Sequence, residues 1–258
     1  MHRPEEQPLS GGNATEGVVR VGETVRKPWG PTTAAVHELM RTVAAAGVDV
    51  PALLGRDEQG RQVQEFVPGP LAMDSPALTG AELRRVGAML RAIHDASESF
   101  TPSAPTPWEP LLPVPGGGED LICHGDLTPW NLLLGERWVF IDWDGAAPST
   151  RLWDLAYSAQ AFTLNDPSAR PAEAAADLAA LIDGYGAGAA LRDQLPEAMI
   201  QRTEAMHAML DSAHRSGREP WGTMFLEGHG AHWRRAADFV TEHRELFAAA
   251  LREVPGRG

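Results

Sequence analysis

Two short runs near the start of the chain, GVVRVG (17 to 22) and ETVRKP (23 to 28), alternate apolar and polar positions and divide at Gly22-Glu23. A period of two with a turn between the runs predicts a β-hairpin. After Pro31 the apolar positions move to helical spacing. Val36, Leu39, Met40 and Val43 share one face, Thr32 or Thr33 is placed to cap, and Gly47 is placed to stop the helix. PALLGR and RQVQEFV, separated by the turn-forming DEQG, predict two further strands. Residues 1–68 are therefore expected to form a small β-rich lobe carrying one helix, closed off by PGP at 68 to 70.

Residues 69–258 read differently, as helices and loops. Thr79 and Glu82 have the spacing of a capping box ahead of Leu83, Val86, Leu90 and Ile93, which predicts an amphipathic helix. The stretch TPSAPTPWEPLLPVPGGG that follows is too rich in Pro and Gly to be anything but a connection. Ala-rich segments at 172 to 184, 196 to 216 and 231 to 251 predict further helices, and no repeat of fixed period runs through them.

Charge and composition narrow the partners. A formal net charge of -13 with no long Lys/Arg cluster argues against nucleic acid and against anionic membrane surfaces, and favours cationic partners. The opening MHRPEEQPLSGG lacks the apolar centre of a secretory signal and no segment has the length of a spanning helix, so a cytoplasmic protein is expected. The single cysteine, Cys123, can form no internal disulfide and reads as a small buried hydrophobe. His229 and His232 form an HxxH pair, for which an exposed or core-satisfied role outweighs metal binding.

The chemistry gathers in one polar loop held between two apolar runs, ICHGDLTPWNLLL at 122 to 134, with VFIDWDG just beyond. Asp126, Asn131 and Asp142 supply a carboxylate, an amide oxygen and a second carboxylate, hard oxygen ligands of the kind that hold Mg²⁺ together with substrate phosphates. Singly, each is an ordinary turn residue. Jointly, D-x-x-x-x-N followed by an Asp on a short strand is the order of a phosphoryl-transfer loop and its metal-binding acid.

HGDLTPWN and IDWD resemble the aminoglycoside phosphotransferase and choline kinase-like family, whose signature is H-G-D-x-x-x-x-N and then I-D-[WFY]-[DE]. The resemblance spans nearly the whole chain and is strongest from about 120 to 158. It implies an α+β, bilobal protein-kinase-like fold with a β-rich N-terminal lobe and a larger, mainly helical C-terminal lobe. It makes Asp126 the catalytic base, Asn131 and Asp142 the Mg²⁺ ligands, His124 a brace for the loop and Asp154 a support beneath it. Asp144 is left open between a second metal or acceptor contact and a turn cap. Asp154 follows Asp142 too closely for the long segment with which protein kinases dock peptides, so a small acceptor is expected.

The same resemblance assigns the nucleotide site. Gly11 and Gly12 would let backbone amides approach the phosphates of ATP, with GTP the alternative. Lys27, which shares a strand face with Val25, is preferred over Arg26 as the phosphate-binding cation. Glu38 is the acid expected to pair with it, with His37 the neighbouring alternative, and Glu65, Phe66 and Val67 would form the hinge whose backbone meets adenine. Asp183, Glu204, Asp211 and Glu227 are the acids available to a cationic acceptor, and Trp221, Phe225 and Trp233 the rings available for stacking or for the core. The expected activity is Mg²⁺- and ATP-dependent O-phosphorylation of a small hydroxylated molecule, for example an aminoglycoside-like antibiotic. The rivals are a metabolic kinase for choline, homoserine or a sugar, and a nucleotide-binding regulatory module without turnover.

Overall fold

The computed structural model describes residues 5–9 and 17–252. At the N-terminal end, β1 (Gln7–Pro8), β2 (Val19–Val21), β3 (Thr24–Lys27), β4 (Leu53–Arg56) and β5 (Gln62–Glu65) form one antiparallel sheet in the order β1-β2-β3-β5-β4. The predicted hairpin is β2–β3, turning at Gly22, whose φ of 60° is left-handed and favours glycine. Register sets Lys27 of β3 opposite Gln62 of β5. Lys27 is the buried residue at the end of its strand.

Helix α1 (Thr33–Ala45) lies after this hairpin and buries Val36, Leu39, Met40 and Val43, the face its spacing predicts. Thr32 is its N-cap residue by position but makes no side-chain cap bond. Helix α2 (Gly80–Ser97) opens on the predicted capping box, in which Thr79 accepts from the Glu82 amide and Glu82 accepts from the Thr79 amide.

Two short hairpin-like pairs then frame the polar loop. β6 (Leu121–Cys123) pairs with β9 (Ala147–Ser149), and β7 (Leu132–Leu134) pairs with β8 (Trp138–Phe140), both antiparallel. The rest is helical: α3 (Arg151–Thr163), α4 (Pro171–Tyr185), α5 (Ala189–Ser216), α6 (Trp221–Met224), α7 (Gly230–Glu242) and α8 (Arg244–Arg252). The Ala-rich segment at 231 to 251 is therefore two helices interrupted at His243. Among the described residues no helix is long and apolar enough to cross a membrane.

The principal core joins α1, α2, α3, α4, α5 and α8 through residues such as Leu39, Leu90, Leu155, Leu181 and Phe247. Two glycines set how closely α2 and α4 approach. A Cβ on Gly87 would lie 2.0 Å from the Leu181 carbonyl oxygen, and one on Gly184 would lie 2.0 Å from the Arg84 carbonyl oxygen. Both obstacles are backbone, which cannot rotate away. Gly87→Ala is accordingly expected to lower stability by about 3 kcal/mol, the upper range for overpacking. Better helix propensity returns only about 1 kcal/mol. The urea midpoint measures this, and an unchanged midpoint would show that the two helices can separate freely.

Candidate active site

The loop between β6 and β7 is held from inside. His124 is fully buried, with Nε2 donating to the Ile141 carbonyl at 3.1 Å and Nδ1 accepting from the Asp126 amide at 3.2 Å. Burial lowers its pKa, so the imidazole is a neutral brace linking the loop to Ile141, which leads from β8 into Asp142. Gly125 has φ +81°, and a Cβ there would meet the Gly145 carbonyl oxygen at 2.7 Å. Only glycine lets these two turns touch.

Beneath the loop, Asp154 of α3 accepts from the Gly125 amide at 3.1 Å and from His94 Nε2 of α2 at 2.9 Å, while His94 Nδ1 lies 2.9 Å from the Tyr185 hydroxyl. Burial alone would push the Asp154 carboxyl up, but the His94 hydrogen bond and charge outweigh it and hold it below its ordinary value. A depressed folded pKa contributes stability above the unfolded pKa of about 3.9 and loses it as pH falls through the folded value. Asp154→Asn should therefore cost about 3 kcal/mol at neutral pH, the scale for breaking a buried pair. The gap from wild type should close as pH drops below about 4. Urea midpoints across pH read both, and a pH-independent gap would contradict the pairing.

Above this support sits Asp126. Its carboxylate accepts from Asn131 Nδ2 at 2.7 Å, from Trp130 Nε1 at 3.1 and 3.3 Å, and from Thr128 Oγ1 at 3.3 Å. Burial first, and the Asp142 charge second, push its pKa up to about 6 against those bonds. A carboxylate tuned near neutrality is suited to accept a proton from a hydroxyl. With Nδ2 of Asn131 engaged by Asp126, the Oδ1 atom is the one left for a cation.

Asp142 follows β8 with φ 61° and ψ 58°, the one non-glycine residue with positive φ among those described. Asp tolerates that region better than most residues, and such strain gathers at functional sites. Lys27 reaches across from β3, its Nζ 2.5 Å from Asp142 Oδ1 and 2.6 Å from Asp144 Oδ2. Burial opposes the charge on Lys27, but Asp144 and Asp142 outweigh it and raise its pKa. A positive charge thus already sits between two carboxylates beside Asn131, a donor set that fits a hard divalent ion.

Of the two cations on β3, Lys27 is the one that reaches Asp142 and Asp144, while Arg26 Nε lies 3.6 Å from Asp57 Oδ2. The expected Lys27–Glu38 pair is not formed. Glu38 is turned away and accepts from the Ser103 amide and hydroxyl. His37 is the inward residue of α1 at this point, with Nε2 donating to Gln62 Oε1 at 3.0 Å, and Gln62 Nε2 reaches the Pro28 carbonyl and, at 3.2 Å, Asp144. A neutral His–Gln relay stands where an acid was expected. Burial keeps the His37 pKa low, consistent with that neutrality.

The hinge segment also differs in part from expectation. The Glu65 and Phe66 amides are engaged within the sheet by the Ala52 and Glu23 carbonyls, at 2.8 and 3.0 Å. The Glu65 carboxylate binds Arg137, and the Phe66 ring lies under the Arg20 guanidinium at 3.7 Å. Val67 packs against Leu133 and Val139. Gly11 and Gly12 lie outside the described residues.

Asp126, Asn131 and Asp142 all line one cavity of about 740 Å³ that continues between α3, α5, α6 and α7. Its wall is mostly apolar and aromatic, with Trp130, Trp153, Tyr157, Met206, Trp221 and Trp233. Of the four acids expected there, only Glu227 arrives. Asp183 is paired with Arg192 at 2.7 Å, and Glu204 and Asp211 lie outside the lining. Phe225 stacks on His214 instead of facing the cavity, their rings 5.0 Å apart. His229 and His232 do line it, but His232 Nε2 contacts Asn165 Oδ1 at 2.9 Å, and the pair belongs to no metal-ligating cluster among the described residues.

The Phosphotransferase enzyme family (APH) model matches residues 9–113 and 104–195. A curated relative, the trifolitoxin immunity protein of Rhizobium leguminosarum bv. trifolii, is 31% identical over 261 aligned residues, covering 94% of this chain and 97% of that one. Similar solved structures include a choline/ethanolamine kinase family protein from Mesorhizobium loti, with TM-score 0.58, 18% identity, and coverage of 98% of this chain and 93% of that one. An amicoumacin kinase in complex with AMP-PNP and Ca²⁺ superposes with TM-score 0.62 at 13% identity, covering 87% of this chain and 86% of that one. At these identities the structures speak for the kinase-like fold. With the family match, the relative and the HGDLTPWN and IDWD geometry agreeing, this chain belongs to the APH phosphotransferase enzyme family.

Proposed function

We propose that the protein transfers the γ-phosphoryl group of ATP, or of GTP, to a hydroxyl of a small molecule bound in the 740 Å³ cavity. The observation that carries this reading is the position of Asp126, a half-buried carboxylate whose pKa is pushed up to about 6, at the junction of that cavity and the Lys27–Asp142–Asp144 cluster. Mg²⁺ held by Asn131 and Asp142 would supply charge neutralisation for the phosphate oxygens. Lys27, already placed beside both acids, would hold the phosphates from the sheet side. Asp126 would align the acceptor oxygen for in-line attack and take its proton, and no covalent enzyme intermediate is required. Glu65, Phe66 and Val67 remain the segment proposed to meet the purine, through backbone groups other than the Glu65 and Phe66 amides. A nucleotide pool and Mg²⁺ are both met in the cytoplasm, the compartment this chemistry suits.

The immunity in the name of the 31% identical relative supports an antibacterial compound as acceptor. Apart from Glu227, the acids that line the cavity are engaged, Asp142 and Asp144 by Lys27, Asp154 by His94 and Asp126 by Asn131, and the mostly aromatic wall supports a largely apolar acceptor over a polycationic aminoglycoside. The test is ADP release with Mg²⁺ and ATP across hydroxylated antibiotics, with choline, homoserine and simple sugars as the metabolic arm. Phosphorus NMR of the product should show a new phosphomonoester. Nucleotide binding with no turnover on any acceptor would make the protein a regulatory module instead.

A further inference from the structure

Arg202, on the face of α5 toward α3, is the cation of this cavity whose Nε and Nη1 no hydrogen bond among the described residues satisfies. It is 5% exposed, and its Nε and Nη1 atoms are buried without a hydrogen-bond partner. No carboxylate among the described residues forms an ion pair with it. The acids whose fields reach it are Asp154 and Asp126, and both are engaged elsewhere, Asp154 by His94 and the Gly125 amide and Asp126 by Asn131 and Trp130. What holds the guanidinium is the Tyr157 ring, 4.0 Å below it, and more distantly the Trp153 ring at 5.6 Å. Aromatic faces compensate a buried charge only in part. The residue nevertheless lines the same cavity as Asp126.

Resting on the phosphotransferase reading above, we infer that Arg202 receives a carboxylate of the acceptor, so that the substrate class is a hydroxylated, largely apolar or aromatic carboxylic acid. A guanidinium fork matches a carboxylate in two parallel hydrogen bonds, which is the pairing that a desolvated arginine lacks here. Rings on the remaining walls, Trp221 and Trp233 among them, accept the apolar body. The acceptor's hydroxyl then lies toward Asp126 and its acid toward Arg202. A polycation would place like charge against Arg202, and of the lining acids only Glu227 is not already engaged by Lys27, His94 or Asn131 among the described residues.

The probe is a matched set with one aromatic body and one hydroxyl: 3-(4-hydroxyphenyl)propionate, its primary amide, and tyramine. Quenching of the cavity tryptophans reports binding without any nucleotide, so the result stands apart from turnover. The wild-type protein is expected to bind the carboxylate about tenfold or more tighter than the amine, a difference of about 1.4 kcal/mol, with the amide between. In Arg202→Met that order should collapse. The melting temperature should stay or rise, because an unpartnered buried charge is removed. Arg202→Lys keeps the charge but not the fork and should retain only part of the preference. Failure of the carboxylate to saturate at millimolar concentration, equal or tighter binding of tyramine, or an unchanged order in Arg202→Met would overturn the inference. So would a large loss of melting temperature in Arg202→Met, which would make the arginine structural. Absence of ADP release with every acceptor while the carboxylate order holds would count against the transferase reading alone.

Discussion

Asp126→Asn is expected to lower kcat by on the order of 10²-fold or more, the scale for a positioned proton acceptor. The substitution is nearly isosteric: with the amide oxygen at the Oδ2 position, Asn131 and Trp130 still donate to it, and the Thr128 hydroxyl can accept from the amide nitrogen. The loop should therefore keep its shape, and nucleotide affinity should survive. Steady-state ADP release against a saturating acceptor reads the first quantity and calorimetric titration with nucleotide reads the second. A variant turning over at the wild-type rate would remove Asp126 from the reaction. A parallel loss of nucleotide affinity would mean that it serves the phosphates and not the acceptor.

Asp142→Asn should act on the other substrate. Removing one partner of a developing charge typically costs on the order of 10²–10³ in rate, and here the loss should be seen as weaker nucleotide binding whose Mg²⁺ dependence has flattened. Asn is the informative replacement because it tolerates the left-handed backbone at this position, where φ is 61° and Ala would add strain. Lys27 would keep Asp144, so the variant tests the cation site without stranding a buried ammonium. Nucleotide titrations at fixed and varied Mg²⁺ give the answer. Unchanged affinity at every Mg²⁺ concentration would place the ion elsewhere.

What the sequence made legible follows from how local each signal is. Asp126 and Asn131 lie in one loop, and the β7–β8 hairpin returns the chain to Asp142, so a linear motif already implies a cluster in space. The α2 capping box and the β2–β3 turn are read from residues a few positions apart, and both form as expected.

Rotation about a helix is harder to read. Glu38 and His37 differ by about 100° on α1, and burial of the Val36, Leu39, Met40 and Val43 face brings His37 to Gln62 and leaves Glu38 to Ser103. Charge favoured the acid, but packing decided the register. The cavity wall shows the same difficulty over longer distances. Net charge of -13 favoured a cationic partner, yet of the four acids expected from the C-terminal helices only Glu227 lines the cavity. Leu111 and Leu112, from the Pro/Gly-rich connection, reach the cavity through contacts that no periodicity announces, including the Trp153 Nε1 bond to the Leu112 carbonyl at 3.0 Å. Arg202 sits in a long helix whose sequence contains many charges. Only its missing partners distinguish it.

If the proposed chemistry holds, Asn131 and Asp142 jointly grip one divalent ion on a nucleotide's phosphates, next to Asp126. Electron paramagnetic resonance of Mn²⁺, titrated into the full chain with AMP-PNP, tests it most directly. One bound ion per chain is expected in the wild type, retained in Asp126→Asn and released in Asp142→Asn. An ion held as tightly by Asp142→Asn as by the wild type would contradict it.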